Sequence, residues 1–276
     1  MKTTLYTIET LTNLHVGAGD INFDIIDNQV QKDSITNLPN IHSSSLKGAF
    51  REHFTAKDDT KMLVKYIFGQ ENSSNDTQAG AYNFFEAQLL SRPVRSNQKA
   101  YFSATSPSVI ANFLENIESF GIEFDDEIIK ELIEFAKLKP TGSNPLIFEK
   151  IEDTILEDDK ATYHNFNTSK LKELLGEDIA LFSDSDFKKL DLPVLARNKI
   201  PTNEDRSDGN LWYEEVVPKK TKFFFFIGKP NNIDPKDYEQ KIKGFENRFN
   251  SEGEIVQIGA NRSIGYGFCR VIKVSK

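Results

Sequence analysis

The sequence predicts an α+β fold: a ferredoxin-like (RRM-like) core interrupted by a helical insertion and a hairpin. Three observations carry this. Short β-prone runs and helical periodicities alternate in the order β-α-β-β-α-β once the middle of the chain is set aside. Residues 221–227 contain four consecutive phenylalanines, as suits a buried strand. The middle itself is acidic: residues 111–160 hold 14 acids and 5 bases, a net of −9 in a chain whose total is −8, so the remainder sums to +1.

The elements follow in order. Residues 4–14 mix β-branched and apolar side chains at short spacing and predict the first strand. A loop, His15-Val16-Gly17-Ala18-Gly19-Asp20, leads to a second β-prone stretch around Ile25-Ile26-Asp27. Ser43, Ser44 and Ser45 precede Leu46, Phe50 and Phe54, which recur at i, i+4 and i+8 and predict a helix with a serine N-terminus. Strands are predicted near residues 81–90 and 99–104, then a helix with Val109, Phe113, Leu114 and Ile117 on one face. Residues 125–139 predict another helix on Ile128, Leu132, Phe135 and Ala136, ended by the loop from Pro140 to Pro145. Residues 197–210 are polar and predict an exposed loop or hairpin, with Trp212 and Tyr213 anchoring its base. After the phenylalanine strand, Asp234-Pro235 opens a helix carrying Tyr238, Ile242, Phe245 and Phe249, and Gly253 closes it. Strands around residues 255–258 and 268–274 finish the chain.

Composition bounds the function. At 276 residues, 38% hydrophobic and 28% charged, the chain can bury a sizeable core as one large or two small domains. It has no apolar run of about 18 residues, so no membrane span is expected. Its start lacks a signal-peptide apolar region, and the expected location is cytoplasmic. Cys269 is the sole cysteine, which excludes an intrachain disulfide and Cys-rich zinc sites. There is no Gly-x-Ser-x-Gly elbow, His-Glu-x-x-His site or nucleotide P-loop. A net charge of −8 argues against a free-standing nucleic-acid binder. Yet residues 218–276 hold 12 bases and 6 acids, or +6, so the acidic insertion reads either as an ordinary solvated face or as acid kept away from a basic surface.

Four stretches can carry chemistry, and each also has an ordinary structural reading. Gly17-Ala18-Gly19 beside His15 can present backbone N–H groups to a phosphate, or be a tight turn. Ser43 to Gly48 opens a helix whose dipole and hydroxyls favour an anion near Lys47, or is a serine cap worth about 1 kcal/mol. The run from Gly259 to Phe268 places Arg262 among three further-spaced glycines and two aromatics, as an RNA-facing loop or a glycine hairpin. Asp20, Asp24, Asp27 and Asp33 can supply a Mg²⁺ ligand or a general base, and counting alone does not select one.

Taken in order, these stretches resemble the RAMP superfamily of CRISPR proteins, and more closely the backbone nucleases of type III-B, or Cmr, complexes. The segments that carry the resemblance are LHVGAGD with IIDNQVQKD (14–33), LPNIHSSSLKGAFREHF (38–54), RPVRSNQKAYFSATSP (92–107), NLWYEEVVPKKTKFFFFI (210–227) and IGANRSIGYGFCRV (258–271), together spanning nearly the whole chain. Gln29 stands where the family usually has proline, and His42-Ser43 where it often has Pro-Gly. The resemblance implies a ferredoxin-like palm (residues 1–120 and 216–276), a helical fingers insertion (121–192) and a β-hairpin thumb (193–215). It implies guide RNA, complementary target RNA, further copies of the chain and other Cmr subunits as partners. It makes Asp27 the catalytic residue, with Mg²⁺ or another divalent cation as a cofactor held there. It places His15, Ser45, Lys47, Arg51, Asn261, Arg262 and Ser263 on the guide, and Arg197, Lys199 and Ile200 on the thumb. The cut would follow 2′-hydroxyl attack, leaving a 2′,3′-cyclic phosphate and a 5′-hydroxyl. The alternatives are a type III-A backbone nuclease and a non-catalytic RNA-binding scaffold.

Overall fold

The computed structural model describes residues 1–19, 25–56, 61–70, 78–198, 211–231 and 245–274. The chain opens with β1 (Lys2–Thr10), α1 (Ser43–Ala56) and α2 (Lys61–Phe68). Short strands β2 (Gly69–Gln70), β3 (Gln78–Ala79) and β4 (Asn83–Phe84) lead to β5 (Gln88–Val94) and β6 (Phe102–Thr105). Helices α3 (Pro107–Ser119) and α4 (Asp126–Ala136) come next. They are followed by β7 (Leu146–Ile147), β8 (Ile155–Leu156), β9 (Asp159–Lys160) and β10 (Thr162–Tyr163). α5 (Lys172–Leu175), β11 (Ile179–Leu181) and α6 (Asp184–Lys189) precede the hairpin of β12 (Val194–Asn198) and β13 (Leu211–Glu215). β14 (Lys222–Lys229), β15 (Glu254–Gln257) and β16 (Phe268–Lys273) complete the strands.

A ten-stranded mixed sheet organises the molecule in the order β10-β7-β11-β6-β5-β14-β1-β16-β15, with β4 pairing β14 off that path. The stretch β5-β14-β1-β16 is antiparallel throughout, while β11 lies parallel to β6 and β10 parallel to β7. The phenylalanine run explains why β14 is central. Side chains alternate across a strand, so Phe223 and Phe225 enter one core with α1 while Phe224 and Phe226 enter the other with α3 and α4. A strand buried on both faces needs apolar residues without interruption. In the first core Tyr6 stacks on Phe225 with centroids 5.3 Å apart, and Phe50 of α1 meets Phe225 at 5.7 Å and Phe249 at 5.6 Å. Phe225→Ala is expected to cost about 3–5 kcal/mol, read as a lowered midpoint in urea denaturation with an unchanged slope.

The caps follow local chemistry. Asp125 accepts from the N–H groups of Glu127 and Ile128 at the start of α4, and Pro107 occupies the first turn of α3. The structure departs from the sequence expectation in two places. Residues 25–27 form no strand; isolated bridges follow at Asn28 to Glu214, Val30 to Gly17 and Lys32 to Pro39. The insertion expected to be helical carries α4, α5 and α6 but also five short strands, of which β7, β10 and β11 join the main sheet through β11 against β6. Strands of two or three residues have no readable period, so the sequence could not announce them. Tyr238 and Ile242 of the expected last helix lie outside the described residues, while Phe245 and Phe249 are buried as anticipated. Among the described residues no helix is long and apolar enough to cross a membrane.

Candidate functional site

Residues 14–18, 27–32 and the last residues of β13 are laced together by backbone hydrogen bonds. Leu14 exchanges both bonds with Val217, at 2.8 Å each. Ala18 donates to Gln29 O at 3.0 Å and Gln31 to Val16 O at 2.8 Å. Asn28 then rides on β13, donating to Tyr213 O at 3.1 Å and accepting from Glu215 N at 2.9 Å. This lacing fixes Asp27. Its Oδ2 accepts from the N–H of Tyr213 at 2.7 Å, its side chain is exposed, and its other oxygen has no partner among the described residues. An anchored carboxylate with one free oxygen can take a proton or ligate a cation.

Glu215 supports this loop from below. It is buried, and its carboxylate accepts from Val30 N at 3.1 Å and from Lys32 Nζ at 2.8 Å. Its carbonyl accepts from His15 Nδ1 at 2.8 Å, so that nitrogen is the donor of the pair. His15 is itself buried, and this bond braces β13 against the first loop. Glu214 points to the other face of the strand. Its Oε1 accepts from Asn261 Nδ2 at 2.6 Å, and Arg197 Nε of β12 lies 3.1 Å from its Oε2 without hydrogen-bond alignment. The Arg197 guanidinium also sits 5.1 Å over the Tyr266 ring. One buried acid thus ties the hairpin to the C-terminal glycine loop. Neither Glu214 nor Glu215 was singled out as a site residue from sequence; the available signal was a pair of acids in an otherwise apolar strand.

The glycine loop owes two of its glycines to the fold. A Cβ on Gly259 would meet His15 O at 2.3 Å, and one on Gly267 would meet Ile258 O at 1.9 Å. Ala260 donates to His15 O at 2.9 Å, and Gln257 Nε2 reaches Gly259 O at 3.0 Å and Tyr266 O at 3.3 Å. The tip, Arg262 to Gly265, is exposed beyond that base. Between this loop, Val16-Gly17 and the first turns of α1 runs an open groove of about 320 Å³ lined by Ser44, Ser45, Gly48 and Ala260. Gly48 faces open space, and Ser45 accepts from Gln31 Nε2 at 3.3 Å. A groove bordered by a helix N-terminus and small side chains suits a phosphate backbone.

The expected RNA-binding residues divide accordingly. Ser45 lines the groove, and Asn261, Arg262 and Ser263 stand on the loop beside it. Arg262 Nη1 pairs with Glu52 Oε1 at 2.7 Å on the surface. Lys47 is partly exposed on α1 beside the lining face and is unpaired among the described residues. Arg51 turns away: its Nη2 donates to Phe68 O at 3.1 Å and Gly69 O at 2.8 Å, closing the end of α2. Arg197 lies on the hairpin, whereas Lys199, Ile200, Asp20 and Asp24 lie outside the described residues. Among the described residues no three of His, Cys, Asp and Glu are grouped to hold a metal. Among the described residues Asp27 alone offers a carboxylate oxygen here, a set that fits Mg²⁺ only if further ligands such as water and substrate phosphate supply the rest.

A family model described as the RAMP superfamily matches residues 7–270. A curated relative, the CRISPR system Cmr endoribonuclease Cmr4 of Pyrococcus furiosus, is 30% identical over 287 aligned positions, covering 98% of this chain and 95% of that one. Among solved structures, a type III-B Cmr-beta complex bound to cognate target RNA contains a chain with TM-score 0.80 at 22% identity, covering 99% of this chain and 98% of its own. Oligomeric Cmr4 from Pyrococcus furiosus superposes with TM-score 0.72 at 24% identity, covering 100% and 99%. At those identities the two structural likenesses establish the fold.

Proposed function

This chain belongs to the RAMP superfamily, and from that premise we propose that it is a backbone subunit of a type III-B CRISPR effector complex that holds guide RNA and cuts the paired target RNA. The observation that carries the reading is Asp27, an exposed carboxylate anchored at one oxygen by Tyr213 N–H and without a partner at the other among the described residues, beside the paired strands β12 and β13. Its surroundings accord with the name borne by the relative of 30% identity. The antiparallel run β5-β14-β1-β16 supports a ferredoxin-like palm. Residues 1–120 and 216–276 are then palm, 121–192 fingers and 193–215 thumb. Partners are guide RNA, target RNA, further stacked copies and other Cmr subunits, in the cytoplasm.

The chemistry follows from position. A target nucleotide unstacked by the hairpin costs a few kcal/mol and can bring its 2′-hydroxyl in line with the adjacent phosphorus. The free oxygen of Asp27 takes the hydroxyl proton. The 2′-oxygen bonds to phosphorus as the bond to the 5′-oxygen breaks, and that oxygen takes a proton from water. The products are a 2′,3′-cyclic phosphate and a 5′-hydroxyl. Mg²⁺ or another divalent cation at Asp27 would neutralise charge on the phosphate.

The test is incubation of the assembled complex with guide-complementary RNA. Regularly spaced cuts ending in cyclic phosphate are expected. Tight target binding with the RNA left whole would make the chain a non-catalytic scaffold. On the guide side, Arg262→Ala is expected to weaken guide binding and to reduce the log–log salt slope by about one unit. Lys47→Ala is expected to do the same, and an unchanged slope would remove Lys47 from the contacts.

A further inference from the structure

The groove beside the C-terminal glycine loop carries an acid where RNA would lie. Among the described residues of its lining, the one charged side chain is Glu52. Grooves that track an RNA backbone are ordinarily cationic, because phosphate contacts dominate their affinity. Glu52 is no stray surface residue. Ser45, Gly48 and Glu52 fall at i, i+3 and i+7 of α1, so they share the helix face that forms one wall.

The nearby cations are mostly engaged already. Arg51 donates to the carbonyls of Phe68 and Gly69. His53 Nε2 lies 2.9 Å from Glu254 Oε1. Arg262 Nη1 donates to Glu52 Oε1 at 2.7 Å, so those two charges cancel. Lys47 alone on this side of α1 has no ion pair among the described residues.

The Arg262–Glu52 pair joins the two walls of the groove. Glu52 belongs to the helix wall, and Arg262 to the loop whose Gly259 and Ala260 line the opposite wall, 210 positions later in the chain. The loop is held where Arg262 leaves it. Asn261 sits in left-handed backbone with φ 64°, and its Nδ2 donates to Glu214 Oε1 at 2.6 Å. The pair itself is weakly held: its side chains are 63% and 66% exposed, and exposed ion pairs contribute little. A phosphate offers the guanidinium the same charge-assisted bonds as a carboxylate does.

We propose that Glu52 is a built-in competitor for the guide phosphate, holding Arg262 while the groove is empty and releasing it to the RNA backbone as the guide is seated. The inference rests on the guide-holding reading above and adds to it a residue that opposes binding. The exchange breaks one ion pair and forms another. Its cost is a fixed factor on every RNA that takes Arg262. A guide with many phosphate contacts tolerates that factor, whereas a stray RNA with few contacts is turned away.

The test measures binding of a fluorescein-labelled oligouridine of about 20 nucleotides to the full chain at low salt. Four forms are compared: wild type, Glu52→Gln, Arg262→Ala and the double variant. Glu52→Gln is expected to tighten binding about fivefold, the upper worth of an exposed ion pair. In the Arg262→Ala background the same substitution is expected to gain less than about twofold, since only screened repulsion between carboxylate and phosphate is left to relieve. That non-additivity marks competition for one guanidinium. Unchanged or weaker binding by Glu52→Gln, with Arg262→Ala still weakening it, would overturn the proposal and leave the guide-holding reading intact. Equal gains in both backgrounds would also overturn it, making Glu52 a general repulsive charge. An Arg262→Ala variant that binds as wild type does, or no binding by any form, would sink the guide-holding reading of this groove and the inference with it.

Discussion

Asp27→Asn in the assembled complex is expected to slow target cutting by about 10²–10⁴-fold, the usual worth of a positioned general base. The substitution is nearly isosteric. Its amide oxygen can still accept from Tyr213 N–H, so the loop keeps the bond that now holds it at 2.7 Å. What disappears is the basicity of the free oxygen. Guide retention and target affinity should therefore stay within about twofold. Single-turnover rates on labelled target, beside a filter-binding isotherm, separate the two quantities. Cutting at the wild-type rate would remove Asp27 from the chemistry. Equal losses of binding and cutting would make it a structural loop residue.

The second large effect is expected at Glu215, which touches no RNA in the proposed arrangement. Glu215→Ala removes the acceptors of Val30 N–H and Lys32. Charge-assisted hydrogen bonds of this kind contribute about 1.5–3 kcal/mol each, and a buried donor left unsatisfied carries its own cost. The loop that presents Asp27 loses its floor. A displacement of about 1 Å at a catalytic group can cost about 10²-fold in rate, and a loss of that order is expected in cutting, with weaker thermal stability. Glu215→Gln keeps an oxygen for Val30 and should recover part of both. The readout specific to positioning is the rate of the bound complex at saturating target. A variant that merely unfolds loses assembly, while a mispositioned Asp27 leaves target binding and slows the cut.

Much of the scaffold was legible because its signals are long or repetitive. Leu46, Phe50 and Phe54 marked α1 by spacing, and the four phenylalanines marked β14 by uninterrupted burial. Asp27 was reached through resemblance, since four aspartates in one stretch look alike to any count. Its anchoring was not legible, because Tyr213 lies 186 positions away and the bond uses a backbone N–H, which no residue type encodes. The same distance hid Glu215. His15 and Arg51 have orientations that the sequence does not carry. Each is a cationic or titratable side chain in an RNA-like motif, and each is turned inward to a carbonyl. Sequence reports which groups are present, whereas the packing of Val30, Phe68 and their neighbours decides which way they point.

The central position of β14 also governs how the molecule comes into being. β1 is made first, yet its two neighbours in the sheet are β14 and β16, more than 200 residues later. A ribosome-bound chain therefore holds β1 unpaired until nearly all of the protein has emerged. Such distant pairing predicts slow folding, with loop closure preceding its reward. Meanwhile Phe223 to Phe226 emerge as an uncharged aromatic β-former, flanked by Lys219, Lys220, Lys222 and Lys229. Those lysines act as gatekeepers that keep nascent chains from sticking to one another through this segment until β1 claims it.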